Sequence, residues 1–163
     1  MSRLAQPVLD SPPLVRYGLP ELIEAASPAA GADFTATVDG NFYVRLVSVF
    51  CRIVCSADAA SREVTVEYQT AEGNRFALTG AATTITAGLT GDYCFLSSLG
   101  EDIFTVDSSV LAPLPPILLM PTQKFLIHVV AMDNTDQLSR IRYVWERFYT
   151  TNQPPTSGPL SSL

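Results

Sequence analysis

The segment from Arg62 to Thr70 constrains the fold of this chain more than any other. Its side chains alternate in polarity: Val64, Val66 and Tyr68 have one parity, and Glu63, Thr65, Glu67 and Gln69 have the other. A period of two is what a β-strand with one packed face and one wet face produces. The short connection 71–74 follows, with Gly73 at a position suited to positive φ, and predicts a hairpin to a second strand, Arg75–Leu78.

Similar β-type runs, separated by turn residues, continue to Tyr149. The other predicted strands are Phe34–Val38, Phe42–Ser56, Thr83–Ala87, Tyr93–Ser97, Ile117–Met120, Lys124–Met132 and Gln137–Tyr149. The last two are expected to pair through the turn 133–136, and 98–116 to be loop. The expected core residues are Val64, Val66, Tyr68, Ile127, Val129, Ile141, Tyr143 and Trp145. This pattern predicts an all-β chain, a β-sandwich of jelly-roll-like type.

Residues 1–33 differ from the rest, because five prolines lie among them, at 7, 12, 13, 20 and 28. Prolines are rare in the middle of a sheet, so we expect an extended N-terminal arm that leaves the domain and contacts another surface. Within it only Leu19–Ala26 could form a short helix, with Pro20 in its first turn. The division predicted is an arm (1–33), a β-sandwich domain (34–150) and a short extended C-terminal tail (151–163).

The composition narrows the classes of partner. Of the 163 residues only 16% are charged and 47% are hydrophobic, where about 25% charged is usual. A surface so poor in charge is expected to be covered in part by other proteins. The ten Lys and Arg residues are scattered and the net charge is −6, which disfavours direct nucleic-acid binding and anionic membranes. No apolar run approaches the ~20 residues of a membrane helix, and Met1–Pro7 does not resemble a signal peptide, so we expect a soluble chain made in a cytosol.

No catalytic set is recognisable. His128 is the only histidine, and it alternates with Leu126 and Val130 in a predicted strand, as a packed or interface residue would. No Gly-x-Ser-x-Gly nucleophile elbow accompanies it. Glu63 and Glu67, about 13 Å apart along one strand face, are expected to be solvated rather than to act as paired catalytic acids. We therefore expect a non-enzymatic protein and assign no catalytic residue.

Metal and cofactor sites are not predicted either. Cys51 and Cys55 have the wrong spacing for a zinc knuckle, and about 13 Å of strand separates them, which is too far for a disulfide. With Cys94 they are expected to be buried free thiols. Asp133, Asn134 and Asp136 could offer oxygens to calcium, but Asx residues in turns usually bond the backbone.

The aromatic residues of the last predicted strand have two interpretations. Tyr143, Trp145 and Tyr149 share one parity. Aromatic side chains on one strand face could stack on sugars, and in a sandwich they more often form core.

Four segments carry a family resemblance, in an order that recurs in small virion proteins of tailed bacteriophages. They are Pro28-Ala29-Ala30-Gly31, Ser56-Ala57-Asp58-Ala59-Ala60-Ser61-Arg62-Glu63-Val64, Leu114-Pro115-Pro116-Ile117-Leu118-Leu119-Met120-Pro121 and Asp136-Gln137-Leu138-Ser139. The chain resembles that family over residues 28–148. It departs from the pattern after Pro121, where Gly is expected and Thr122 stands.

The resemblance implies a β-sandwich structural component of the virion, a capsid decoration (cement) protein, often trimeric, assembled in the host cytoplasm. Its N-terminal arm would contact the major capsid protein or other virion proteins. The run Phe42–Ser56 is apolar on both parities, so both faces are expected to be covered and self-association, as a homotrimer, is expected. Two alternatives stay open: a neck, tail or fibre-base component, and a glycan-binding β-sandwich module.

Overall fold

The computed structural model describes residues 18–40, 42–58, 60–99, 104–106 and 109–149. Within these ranges the chain forms strands and no helix. The strands are β1 (Leu19–Glu24), β2 (Phe34–Thr37), β3 (Phe42–Val54), β4 (Arg62–Gln69), β5 (Arg75–Ile85), β6 (Thr90–Leu96), β7 (Phe104–Val106), β8 (Ser109–Pro113), β9 (Leu118–Leu119), β10 (Lys124–Val130) and β11 (Gln137–Tyr149). The predicted all-β class is confirmed.

The strands are divided between two sheets. Sheet A has the order β1-β11-β3-β6-β8-β7, and β9 pairs with β3 beyond the end of β6. Sheet B has the order β2-β10-β4-β5. Strands β6 and β8 run parallel, whereas β7, the strand between them in sequence, is antiparallel to β8. One face of each sheet packs against the other, so the architecture is a β-sandwich.

A single hydrophobic core fills the space between the sheets. Each strand sends alternate side chains into it, as the period of two requires. All the predicted core residues are buried, and Tyr143 is the most exposed of them at 6%. Tyr143 packs edge-on against Phe125 and Trp145, with ring centroids 5.1 and 5.3 Å away. The core interpretation of Tyr143 and Trp145 is therefore confirmed, while the side chain of Tyr149 lies outside the described part.

The polar parity of β4 corrects the expectation of a solvated face. Glu67 is only 8% exposed and Thr65 only 3%, because β4 lies between β10 and β5 and the side chains of its neighbours cover it. Glu67 accepts hydrogen bonds from Arg75 Nη1 at 2.9 Å and from Gln69 Nε2 at 3.3 Å. The strand parity was predicted correctly, but the exposure of its polar side was not.

The pairing of the last two strands was predicted wrongly. Strand β10 pairs with β2 and β4 in sheet B, whereas β11 pairs with β1 and β3 in sheet A. Ala131, with φ of 58°, turns the chain out of β10, and the segment 133–136 then crosses from one sheet to the other. The turn residues specify a reversal of direction, but they do not specify which sheet receives the next strand.

Two further strand assignments change. The predicted strands Arg75–Leu78 and Thr83–Ala87 are one continuous strand, β5, which bends at Ala82 with φ of 49° near a register shift against β4. Its hairpin with β4 is confirmed. The predicted loop 98–116 contains β7 and β8, which add two short strands to sheet A.

Part of the predicted arm belongs to the sandwich. Leu19–Glu24 is the edge strand β1, antiparallel to β11, and not a short helix. The Ala25 N–H donates to the Ile141 carbonyl at 2.9 Å, so the odd-numbered residues of β1 direct their backbone nitrogens toward β11. The backbone nitrogen of Pro20, which carries no hydrogen, therefore faces the open edge. Proline is tolerated there because no ladder hydrogen bond is lost. Residues 1–17 of the arm and the tail 151–163 lie outside the described residues.

Candidate interaction surface

Two of the segments that carry the phage-protein resemblance meet in space. Arg62 begins β4, and Asp136 directly precedes β11. Their side chains are both 0% exposed and form a two-pronged ion pair, with Nε–Oδ2 at 2.8 Å and Nη2–Oδ1 at 3.2 Å. The pair joins sheet B to sheet A at one end of the sandwich.

Every remaining hydrogen of this pair has a partner nearby. Arg62 donates to the carbonyls of Asp58 and Ala60 and to Ser56 Oγ. The Asp136 carboxylate accepts the backbone N–H groups of Ser56 at 2.7 Å and Asp133 at 2.8 Å. Burial by itself would raise the pKa of Asp136, but these hydrogen bonds outweigh it and lower the pKa to about 2.

The turn 133–136 uses its side chains for structure. Asp133 Oδ1 accepts the backbone N–H and the hydroxyl of Thr135 at 2.9 and 2.7 Å, and Asp136 is engaged as above. The prediction that the Asx residues of this turn bond the backbone is confirmed for Asp133 and Asp136. Among the described residues no group of three or more His, Cys, Asp or Glu side chains could hold a metal ion.

His128 has an acidic partner on the outer side of sheet B. Its Nδ1 lies 2.7 Å from Asp33 Oδ2, and the other carboxylate oxygen accepts the Val129 N–H at 3.3 Å. The two side chains are 36% and 32% exposed. The Thr65 hydroxyl donates to the His128 carbonyl at 3.2 Å, so the contacts of His128 join β10 to β4 and to the segment before β2.

The cysteines are unpaired, as predicted. Cys51 and Cys55 are buried, and Cys94 is half-buried. Burial raises the pKa of the Cys51 thiol to about 12, so this thiol stays protonated and inert at neutral pH. Cys94 differs from the other two because its side chain points away from the core.

The face of sheet A that points away from sheet B carries many apolar side chains. We call it the outer face; its apolar side chains are Leu22, Tyr43, Phe50, Cys94, Leu96, Leu111, Leu118, Val144 and Phe148. Cross-strand pairing brings them together: Phe50 pairs with Cys94, and Cys94 with Leu111. Leu22 and Leu118 are 64% and 43% exposed, and the others are half-buried.

Three cross-strand ion pairs hold most of the charged side chains on the outer face, and the exposed Arg140 lies outside them. Arg45 binds Glu146 at 2.5 Å, Arg52 binds Asp92 at 2.6 Å, and Arg142 binds Glu24 at 3.0 Å. The hydrogen bond from Arg52 lowers the pKa of Asp92, and the nearby charge of Arg140 contributes. A face with apolar rows and internally balanced ion pairs is suited to contact another protein surface.

A second exposed apolar feature lies beside β5. A groove of about 480 Å³ is lined by Leu78, Thr79, Ser97, Leu99 and the segment Pro113–Pro116. Its volume would admit a small ligand. Its lining residues include no aromatic ring and no charged side chain, which is a poor arrangement for binding a sugar.

The described part of the chain includes no helix that could cross a lipid bilayer. No family model and no curated protein matches the sequence. A chain in the crystal structure of the T13 IBDV viral particle is similar, at 11% identity with a TM-score of 0.38. The likeness covers 82% of this chain but only 32% of that one. At this TM-score it carries no weight in assigning a fold or a function.

Proposed function

We propose that this chain is a non-enzymatic structural component of a virus particle, and specifically a capsid decoration protein. It self-associates, expected as a homotrimer, and contacts the capsid shell or other virion proteins through its N-terminal arm. Assembly in the host cytoplasm follows from this role. The family resemblance of residues 28–148 supports a role in the virion. The observation that supports a structural role is the outer face of sheet A, with its apolar side chains and ion pairs.

The internal arrangement is in keeping with this role. The polar groups with the strongest interactions, Arg62 and Asp136, are buried and saturated by hydrogen bonds. They are therefore inaccessible to a substrate and serve to join the sheets. On the outer face of sheet A, apolar side chains and paired charges provide contact area rather than chemistry.

Copy number tests the assignment. A decoration protein is present in many copies per particle, whereas a neck, tail or fibre-base component is present in few. Quantitative gel analysis of purified particles separates these two roles, and a count of a dozen or fewer copies would exclude decoration. Absence from the particle, combined with glycan binding by the isolated protein, would favour the glycan-binding module.

A further inference from the structure

We propose that the outer face of sheet A is covered, in solution, by the same face of another copy of this chain. The inference rests on the proposed function in one respect, the self-association of the chain. It adds the surface through which the copies contact each other. In a two-fold dimer and in a three-fold trimer alike, this face can point toward the symmetry axis. The inference is therefore compatible with two or with three copies.

The charge distribution favours a second copy as the partner. The chain has a net charge of −6, so two copies repel each other wherever unpaired acidic groups would meet. On the outer face the three ion pairs cancel their own charges, and the charge left beside them among the described residues is the cation Arg140. A face without unpaired acidic groups avoids this repulsion, and an identical face therefore fits it.

The size of the face is sufficient. It spans four inter-strand steps, from β1 to β8, and nine residue steps along β3, from Tyr43 to Arg52. With about 4.8 Å per strand and about 3.3 Å per residue, the footprint is roughly 600 Å² per copy. A pair would bury roughly 1,200 Å², which is the lower limit of a specific interface.

Contact through the face is also favoured because the adjacent sheet edge is blocked. Pro20 presents no N–H at the open edge of β1, which interrupts the row of donors that a strand from another copy would need. Lateral extension of sheet A at this side is therefore weak, whereas its face offers continuous apolar contact. Packing sheet on sheet at about 10 Å is the usual way to bury such a face.

Two substitutions of the same kind test the inference in the full-length protein. Phe50→Lys places a charge at the centre of the outer face. Phe76→Lys, the matched control, alters an exposed phenylalanine of β5 in sheet B that is 46% exposed. By light scattering coupled to gel filtration, the wild type and Phe76→Lys should form the same oligomer. In Phe50→Lys the dissociation constant should rise at least about 100-fold, because an unpaired charge would be buried in the contact.

Cys94 provides an independent measurement. It lies beside Phe50 in the register, and Cys51 and Cys55 are buried. A short bismaleimide should link copies of the wild type covalently, whereas Cys94→Ser should give no linked product. The oligomer should also tighten as NaCl is raised, since salt screens the repulsion between acidic copies and leaves apolar contact intact.

The outcomes separate this inference from the proposed function. An oligomer that persists unchanged in folded Phe50→Lys would overturn the inference and leave the virion role standing. A wild type that stays monomeric at high micromolar concentration would also overturn it, and resistance of its Cys94 to maleimide would then show that a segment of the same chain covers the face. If Phe50→Lys fails to fold, Leu22→Lys replaces it, since Leu22 is 64% exposed. If Phe50→Lys dissociates the oligomer but the protein is absent from purified particles, the inference stands and the virion role is refuted.

Discussion

Arg62 and Asp136 are separated by 74 residues, yet their side chains form a two-pronged ion pair from which solvent is excluded. One residue begins a strand of sheet B and the other precedes a strand of sheet A. Desolvating two charges is costly, and the cost is offset only when the geometry is good and all remaining polar atoms are bonded. Both conditions hold here, so removal of one partner leaves a buried charge without compensation.

Replacing Asp136 by Ala should therefore destabilise the fold by about 3–5 kcal/mol. The control is Glu24→Ala, which removes an ion pair with Arg142 in which both side chains are more than half exposed and should cost less than about 1 kcal/mol. Urea unfolding of the two variants provides the comparison. Equal losses would show that the buried pair does not hold the sheets together.

Stability should fall in acid, and Asp136 should account for part of the loss. Its pKa is about 2 in the folded chain against an ordinary value of 3.8, so the unfolded chain takes up the proton first. The stabilisation is complete above about pH 5 and disappears as the pH decreases through 4 to 2. In Asp136→Asn the decline of unfolding free energy across this window should be shallower than in the wild type. Parallel curves would assign the acid sensitivity to other carboxylates.

Thr122 marks a position where substitution should stabilise the protein. It stands directly after Pro121, at the position where the phage-protein pattern has Gly. Its φ is 72°, a conformation that β-branched residues rarely adopt. Its N–H donates to the Val38 carbonyl at 2.9 Å, and Gly retains that hydrogen bond. Thr122→Gly should raise the free energy of unfolding by about 0.5–1 kcal/mol, after the entropy of the unfolded Gly is counted. A decrease measured by denaturant unfolding would show that the turn tolerates Thr without strain.

Ile141 tests the strand register. It is 1% exposed in the core, so Ile141→Ala should cost about 2–5 kcal/mol through lost burial and a residual cavity. Val130→Ala changes a β10 residue of sheet B that is 43% exposed and should stay within about 0.5 kcal/mol. Thermal and urea melts of both variants decide the point, and a larger effect at Val130 would contradict the assignment of the faces.

The local pattern of the sequence was enough to place most strands and their faces. Period-two alternation identified Val64, Val66 and Tyr68 as core residues because it depends only on neighbouring residues. The exposure of Glu67 was misjudged because it depends on β5 and β10, which flank it. Pairing between β11 and β1 was missed for the same reason: no local pattern shows that a strand containing Pro20 finds its partner at the other end of the chain.

The candidate surface was predicted in part. The run Phe42–Ser56 is apolar on both parities, which indicated that its outer side needs a cover. The contribution of Leu96 and Leu111 could not be foreseen, because 98–116 reads as a loop until β8 is seen to pair with β6. The burial of Arg62 could not be predicted from the sequence either, because an isolated arginine beside a turn is normally exposed.

The pairing of β1 with β11 sets an order on folding during synthesis. Leu19 lies opposite Arg147, so β1 leaves the ribosome long before β11, its partner strand in the described part of the chain, exists. Strand β3 also waits for β11 on one side. Until then, β1 has no partner and β3 has one unpaired edge, and exposed strand edges of this kind favour aggregation. Completion of the larger sheet is therefore a late event that follows translation of the final strand, and slow folding is the expected result of such distant contacts.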